Sequence, residues 1–429
     1  MVRSITALTA LILLPGGWAG AQQHADLSIH EVYALALERN PMIHAARAAA
    51  DGAAARESSS SLPPDPQVEL AAMNLSLPSL SSDMPNTMLP SIQVMQMIPL
   101  GGKLGLSGEI ARQSTVMALS EAEEIRWQVR TRAAMAFYRI YEVDRSLVTM
   151  EETLDWLRQL EGVATTMYTV GSGNQGDVLR AAVEAARMEA DIARMQAMRT
   201  SEVARLNALL DRSADTPVPA VSFEPLPASL PASEALLDRA EAARPLLEGA
   251  RTGLERAESR EALARKEIWP DLSLGVGYGQ RPSDMGTERM ASFMVGFTVP
   301  IFAGRRQYQV RAEAAAMSEM ARAGLTEARA GVRARIGELL AGLDRARTLL
   351  TLYRTEVLPQ AEANVTASLA SYRVGRADFM TLVDAQMGVN DFKQQVHELL
   401  AEYGSMIAEL EMTVGGELPV GADTIEEGP

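Results

Sequence analysis

Two stretches decide how this chain is read: Y-T-V-G-S-G-N-Q-G-D-V-L-R-A at Tyr168–Ala181 and Y-R-V-G-R-A-D-F-M-T-L-V-D-A at Tyr372–Ala385. Tyr, Val, Gly and Ala recur in step, and Gly171 answers Gly375. A glycine after the last periodic residue is the usual way a helix stops, because only it enters the left-handed region freely. Each stretch therefore predicts the tip of a helical hairpin, with a heptad helix arriving at Y-x-V-G and another leaving after a polar turn. The two tips lie about 204 residues apart, close to half the chain, which is the mark of an internal duplication.

The surrounding sequence repeats the same plan. Leu27–Ser59 reads as helix punctuated by Asn40-Pro41, and Arg244-Pro245 answers it. Pro63, Pro64 and Pro66 break helix and open a strand at Gln67–Leu77. A second strand, Ser91–Ile98, ends at Pro99 and Gly101-Gly102. Lys103 then starts a proline-free helix expected to reach Thr169, roughly 67 residues and about 100 Å. In it Ile140, Val143, Leu147, Met150, Leu154 and Leu157 alternate steps of three and four, a coiled-coil seam. Val178, Ala181, Ala185, Met188, Ile192 and Met195 carry the seam back. Strands at Asp271–Gln280 and Ala291–Val299 alternate cleanly: Leu272, Leu274, Val276 and Tyr278 share one face, Ser273 and three glycines the other. Pro300 and Gly304-Arg305 answer Pro99 and Gly102-Lys103. A second heptad helix follows, with Val332, Ile336, Leu339, Leu343, Ala346, Leu350, Tyr353 and Val357. The return helix carries Phe379, Leu382, Gln386, Val389, Lys393, Val396, Leu400, Tyr403, Ile407 and Leu410.

These readings give the domain plan. Residues 1–21 read as a secretory signal, with Arg3, the apolar run Ile5–Leu14 and an Ala19-Gly20-Ala21 cleavage site. The first repeat spans 22–212, a Pro/Ala/Ser-rich linker 213–232, the second repeat 233–414, and an acidic Gly/Pro-rich flexible tail 415–429. The fold class is mainly α with a small β part, each half ordered helix, strand, strand, long helix, tip, helix. Four apolar-faced strands cannot close a barrel alone, since single barrels need about eight, and left open they would aggregate. Oligomerisation is therefore required.

Composition narrows the function. The chain has 429 residues and a net charge of −15, which opposes nucleic-acid binding. It has no cysteine, so disulfides, thiolate metal sites and a lipid-anchored cysteine are excluded. Aromatics at 5 %, against abundant Ala, Arg and Glu, favour long close-packed helices. No stretch reaches 18 apolar residues, so a membrane crossing would have to be made by strands. There is no G-x-S-x-G, P-loop or Cys nucleophile, and no enzyme or cofactor is expected. The histidines (His24, His30, His44 and His397) lack ligand spacing. Met73, Met84, Met88, Met95 and Met97 cluster in the first strand pair. Thioethers suit Cu(I) or Ag(I), but packing is the commoner use of methionine, and no metal site is assigned.

Taken together, the duplication, the Pro-flanked strand pairs, the helices near 67 residues and the two Y-x-V-G tips resemble the TolC-type outer-membrane efflux protein family. Q-M-I-P-L-G-G-K-L (Gln96–Leu104) and P-Q-V-E-L-A-A-M-N-L (Pro66–Leu75) look like its cation-efflux, CusC/CzcC-like branch. The resemblance implies a homotrimer whose strands form a 12-stranded outer-membrane β-barrel continuous with a periplasmic α-helical barrel. It implies a passive duct in the Gram-negative outer membrane, contacting lipid there. Its partners would be a periplasmic adaptor (membrane fusion protein) and an inner-membrane resistance-nodulation-division pump, and heavy-metal cations its cargo. By position, Asp384 matches an aspartate of the periplasmic aperture, while a second such aspartate falls on Thr381, a departure. Asp177 matches the first-repeat aspartate and Tyr372 a latch tyrosine. The latch arginine falls on Ala377, with Arg376 adjacent. Gly171, Gly375, Val170 and Val374 would form the turns where adaptor hairpins dock.

Alternatives stay open on the residues themselves. The alternative for Asp384 is a solvated carboxylate near a helix N-terminus, where the dipole favours it, and for Asp177 and Asp378 a helix cap, the reading preferred for Asp378. Tyr278 and Phe293 suit a barrel's aromatic girdle. The same duct serving drugs or type I protein secretion, or a periplasmic coiled-coil adaptor or scaffold without membrane strands, are the competing functions.

Overall fold

The computed structural model describes residues 27–73, 88–283, 286–419 and 423–427. The signal segment, Met84 and the residues between the first two strands lie outside them. In order, the first half comprises α1 (Ile29–Arg39), α2 (Pro41–Ser60), β1 (Gln67–Met73), β2 (Met88–Ile98), α3 (Lys103–Thr169) and α4 (Gln175–Leu209). A short strand, β3 (Leu226–Pro227), precedes the second half: α5 (Ser233–Ala243), α6 (Pro245–Lys266), β4 (Leu272–Ser283) and β5 (Gly286–Phe297). Then come α7 (Gln307–Leu352), a π-helical turn (Tyr353–Val357), α8 (Leu358–Arg373) and α9 (Phe379–Val414). The last element is β6 (Thr424–Ile425).

The duplication is visible element by element. Both entry helices break at an X-Pro step, where Asn40 and Arg244 take extended backbone and the proline opens the next helix. The long helix of the first half has 67 residues; Gln307 and Arg373 enclose the same length, displaced by the offset that separates the tips. The seams point inward. Val332, Ile336, Leu339, Leu343, Ala346 and Leu350 are all buried, as are most seam residues of α3, α4 and α9, whereas Gln386 and Lys393 are only half-buried.

One seam does not run as expected. At Tyr353–Val357 the α-helix gives way to one π-turn, whose last bond runs from the Leu358 N–H to the Tyr353 carbonyl. Pro359 explains it. Without an N–H the proline cannot continue the ladder, and its ring displaces the preceding carbonyls, so one wide turn absorbs the mismatch.

The main core gathers where the helices cross beneath the sheet. Phe137, Ile140 and Tyr141 of α3 meet Leu206 of α4, Ile336 and Leu343 of α7, and Leu400 and Tyr403 of α9. Two segments read as loose belong to this core. The linker contributes Val218, Val221 and Leu226, and pairs with residues at both chain ends: Leu27 bridges Val221, and β3 pairs with β6. The tail buries Leu418 and Ile425 and ties Glu417 to Arg130 at 3.1 Å. The linker and the described part of the tail thus belong to one waist, because each supplies apolar side chains that a Pro-, Ala- and Gly-rich composition obscures.

β1, β2, β4 and β5 form one antiparallel sheet in that order. The second hairpin is longer than the sequence suggests, because β4 and β5 stay in register from Leu272↔Phe297 to Ser283↔Gly286. Lys103 fastens sheet to helices. Its buried Nζ donates to Asp271 Oδ1 (2.8 Å) and the Trp269 carbonyl (2.9 Å), joining the start of α3 to the start of β4.

Candidate functional site at the sheet and the helical tips

The sheet has two chemically different faces. Val68–Val94–Val276–Phe293 form one cross-strand row, and Leu70–Ile92–Tyr278–Ala291 the next. Leu274 and Val295 continue this face, together with Leu272 and Phe297. These residues stand in solvent: Leu70 is 76 % and Phe293 81 % exposed. The opposite face carries Gln67, Glu69, Gln93, Ser273, Gly275, Gly277 and Ser292. A contiguous exposed apolar face this size needs an apolar environment, and alternation with small polar residues is the pattern of a barrel wall between lipid and lumen. Tyr278 and Phe293 both lie on the apolar face. No helix among the described residues is long and apolar enough to cross a membrane.

The tips are built alike. After α3, Val170 caps, Gly171 takes φ 76°, and N–H bonds run from Ser172 to Met167 and from Gly171 to Tyr168. After α8, Val374 caps, Gly375 takes φ 68°, and the bonds run from Arg376 to Ser371 and from Gly375 to Tyr372. Both are Schellman endings, in which a left-handed residue satisfies the last carbonyls. The glycines therefore have the turn role expected of them. Val170 and Val374 are 72 % and 66 % exposed, unusual for valine and available to a partner.

The tips also touch. Tyr372 is buried against Phe379, ring centroids 5.7 Å apart and edge-on, within a cluster that includes Leu160, Ala181, Leu382 and Val383. The buried Asp177 of α4 lies close enough to the Tyr372 hydroxyl of α8 for its charge to be felt there, although that buried hydroxyl has no hydrogen-bond partner among the described residues. Burial first, and then the Asp177 charge, push the Tyr372 hydroxyl's pKa up. Asp177 is not the N-cap. Asn174 is, its Oδ1 accepting from the Asp177 N–H at 3.0 Å, a role that the N-Q-G-D order signals. Asp378 occupies the N-cap of α9, but its side chain makes no capping hydrogen bond. Arg376 is exposed and forms no ion pair among the described residues. Thr381 and Asp384 lie three residues apart on the exposed face of α9, away from Leu382 and Val383.

Sequence reasoning passed over the polar pairs that lock the two hairpins together above the tips. Thr153 donates to Asn390 Oδ1 at 3.2 Å in a buried setting, and Thr149 meets His397 Nε2 at 3.2 Å. Beside the π-turn a cleft of about 600 Å³ is lined by Arg145, Glu152, Arg354, Glu362, Lys393 and His397.

The family model described as "Outer membrane efflux protein" matches residues 32–212 and again 236–416, one match per repeat. The chain belongs to that family. Its fold is shared with the outer membrane protein VceC of Vibrio cholerae (TM-score 0.77, 17 % identity, covering 91 % of this chain and 96 % of that one). It is shared with CusC, whose structures concern folding and transmembrane channel formation (TM-score 0.78, 16 % identity, 94 % and 99 % covered). It is also shared with the open state of the MtrE outer membrane channel of Neisseria gonorrhoeae (TM-score 0.73, 16 % identity, 90 % and 89 % covered). No curated protein matches in sequence. At these identities the structural likeness concerns the fold, and the family assignment rests on the two matched repeats.

Proposed function

We propose that the chain forms the outer-membrane exit duct of a tripartite export system, acting as a homotrimer with a periplasmic adaptor and an inner-membrane pump. The observation that carries this is the sheet: one exposed face dominated by apolar side chains, an opposite face of Gln, Glu, Ser, Gly and Met, and two edge strands, β1 and β5. Three copies joined edge to edge would satisfy the unpaired edge groups and place the apolar face in lipid. Because a duct has no energy source, transport is driven by the partners, whose hairpins would seat against Val170, Gly171, Val374 and Gly375. The packing of Tyr372 in the cluster shared by the two hairpins would hold the tips closed at rest. A ring of Asp384 from three chains would favour cations at the aperture.

Heavy-metal cations are the proposed cargo, on the strand-exit residues Gln96–Leu104 and the segment Pro66–Leu75. The test is growth of a deletion strain, beside its complemented parent, on copper, silver, zinc, cobalt and cadmium and on a drug panel. Sensitivity confined to metals supports the reading. Sensitivity to drugs alone keeps the duct and overturns the cargo. Accumulation of the chain in the carbonate-washable fraction overturns the membrane reading itself.

A further inference from the structure

The polar face of the sheet carries more than small residues. Met95, Met97, Met290 and Met294 all belong to it: Met97 in one row, Met95 and Met294 in the next, and Met290 two rows further on, beyond Gln93 and Ser292. Met95 and Met294 share one row, with Gly275 of β4 between them. A Cβ built on Gly275 would lie 3.0 Å from Met294 Cε and 3.3 Å from Met95 Cγ. Both side chains therefore lean from opposite sides over the gap left by the missing side chain. The Gln93 amide donates to Met294 Sδ at 3.1 Å, fixing that thioether's direction. Glu69, paired with Gln93 one row away on the same face, supplies negative charge nearby.

We propose that Met95 and Met294 form a weak thioether site for a soft monovalent cation, Cu(I) or Ag(I), on the lumen wall of the barrel. The chemistry is specific. Thioether sulfur is neutral, polarizable and matched to soft ions, while hard or borderline divalent cations prefer carboxylate and imidazole. Among the described residues no group of three or more His, Asp or Glu is placed to hold a metal ion, so sulfur is the distinguishing donor. The ion exchanges water for two sulfurs without proton release, so binding should be flat across neutral pH, unlike an imidazole or carboxylate site. Two ligands hold weakly, which suits a conduit, where an ion must both bind and leave. Met97, one row away, would extend the contact along the wall, and Met290 stands two rows off on the other side.

The inference rests on the duct reading for its lumen, and its test separates the two. The detergent-purified full-length protein is titrated with Ag(I) in chloride-free buffer, and the silver environment is read by X-ray absorption. Sulfur neighbours are expected, with loss of about one bound silver per protomer in M95L/M294L and no change in Zn(II) uptake. Leucine keeps the volume, and an elution volume in detergent equal to that of the unsubstituted protein checks assembly. A wild-type silver environment of nitrogen and oxygen only, or equal silver uptake by M95L/M294L, overturns the site. A metal-sensitive deletion strain combined with that result would leave the duct standing without the site. Sulfur-bound silver that M95L/M294L loses, in a strain whose deletion is insensitive to metals, would keep the site and remove the cargo.

Discussion

Gly404 sits on the buried side of α9, where that helix crosses α3. A Cβ placed there would come within 2.7 Å of three atoms of the Tyr138 ring, Cζ, Cε1 and Cε2. The ring has little room to retreat. It is 3 % exposed, edge-on to Phe137 at 5.4 Å and to Phe223 at 6.3 Å. Gly404→Ala thus sets two effects against each other. Replacing a mid-helix glycine by alanine gains about 1 kcal/mol of helix propensity, and overpacking a dense core costs about 1–3 kcal/mol. Contacts below 3 Å to a hemmed-in ring put the cost near the upper end, so a net loss of about 1–2 kcal/mol is expected. At roughly 1–2 °C per kcal/mol for a chain of this size, the apparent midpoint should fall by about 2 °C. The assay is thermal unfolding of the detergent-solubilised protein at fixed scan rate, since such transitions are kinetic. In the Tyr138→Leu background the clash is gone, and alanine should be neutral or stabilising. The double-mutant cycle then reads a coupling of about 1–3 kcal/mol. Equal stabilisation by alanine in both backgrounds would refute the packing argument.

Further expectations concern the tips and the waist. Tyr372→Ala removes a buried ring from the inter-repeat cluster, a local loss of about 3–5 kcal/mol, and should raise single-channel conductance in a planar bilayer; Tyr372→Phe, which keeps the ring, should do so less. Asp384→Ala should weaken cation selectivity and block by multivalent cations, and unchanged selectivity would remove Asp384 from the aperture. His397 has its pKa lowered to about 4 by burial and by Arg145, Lys393 and Arg354, against the weaker opposite pull of Glu152. The unfolded chain therefore binds the extra proton first, and stability should fall as pH drops from about 6.5 to about 4, by up to about 3 kcal/mol. His397→Gln should flatten that part of a pH–stability profile. Arg130 bonds Glu411 Oε2 at 2.8 Å and stacks on Tyr33, while burial raises the Glu411 pKa against the arginine's pull. Arg130→Met should cost about 3–5 kcal/mol by stranding that carboxylate, and R130M/E411L should recover most of it in chemical denaturation.

The sequence was most legible where one physical rule acts alone. The tips followed from glycine's access to positive φ, and the sheet's two faces from strict alternation at Leu272–Tyr278. The long helices followed from seams in steps of three and four. It was less legible where distant segments cooperate. A Pro/Ala/Ser-rich composition marked one segment as a linker and an acidic Gly/Pro-rich one marked the tail as flexible, yet Val221, Leu226, Leu418 and Ile425 tie both into the waist. The π-turn was hidden because the apolar spacing continues through Tyr353 and Val357, and only Pro359 betrays it. At the tips, the family resemblance pointed to Asp177 and Tyr372. Their approach depends on how the two hairpins pack, which no local pattern encodes, and Asp378 shows that a favoured cap residue can hold the cap position without making the bond.

The π-turn also bears on mechanics. The two hairpins descend from one ancestral unit and have the same length, but their arriving arms differ in compliance. In the first, α3 carries an uninterrupted ladder of backbone bonds from sheet to tip. In the second, the ladder is widened at Tyr353–Val357 and lacks a donor at Pro359, well short of the tip. A lateral force applied at the tips therefore meets a stiff strut and a jointed one. Of the two, the jointed arm is the more compliant, so the load falls unequally on the Val374–Gly375 turn and on Val170 and Gly171.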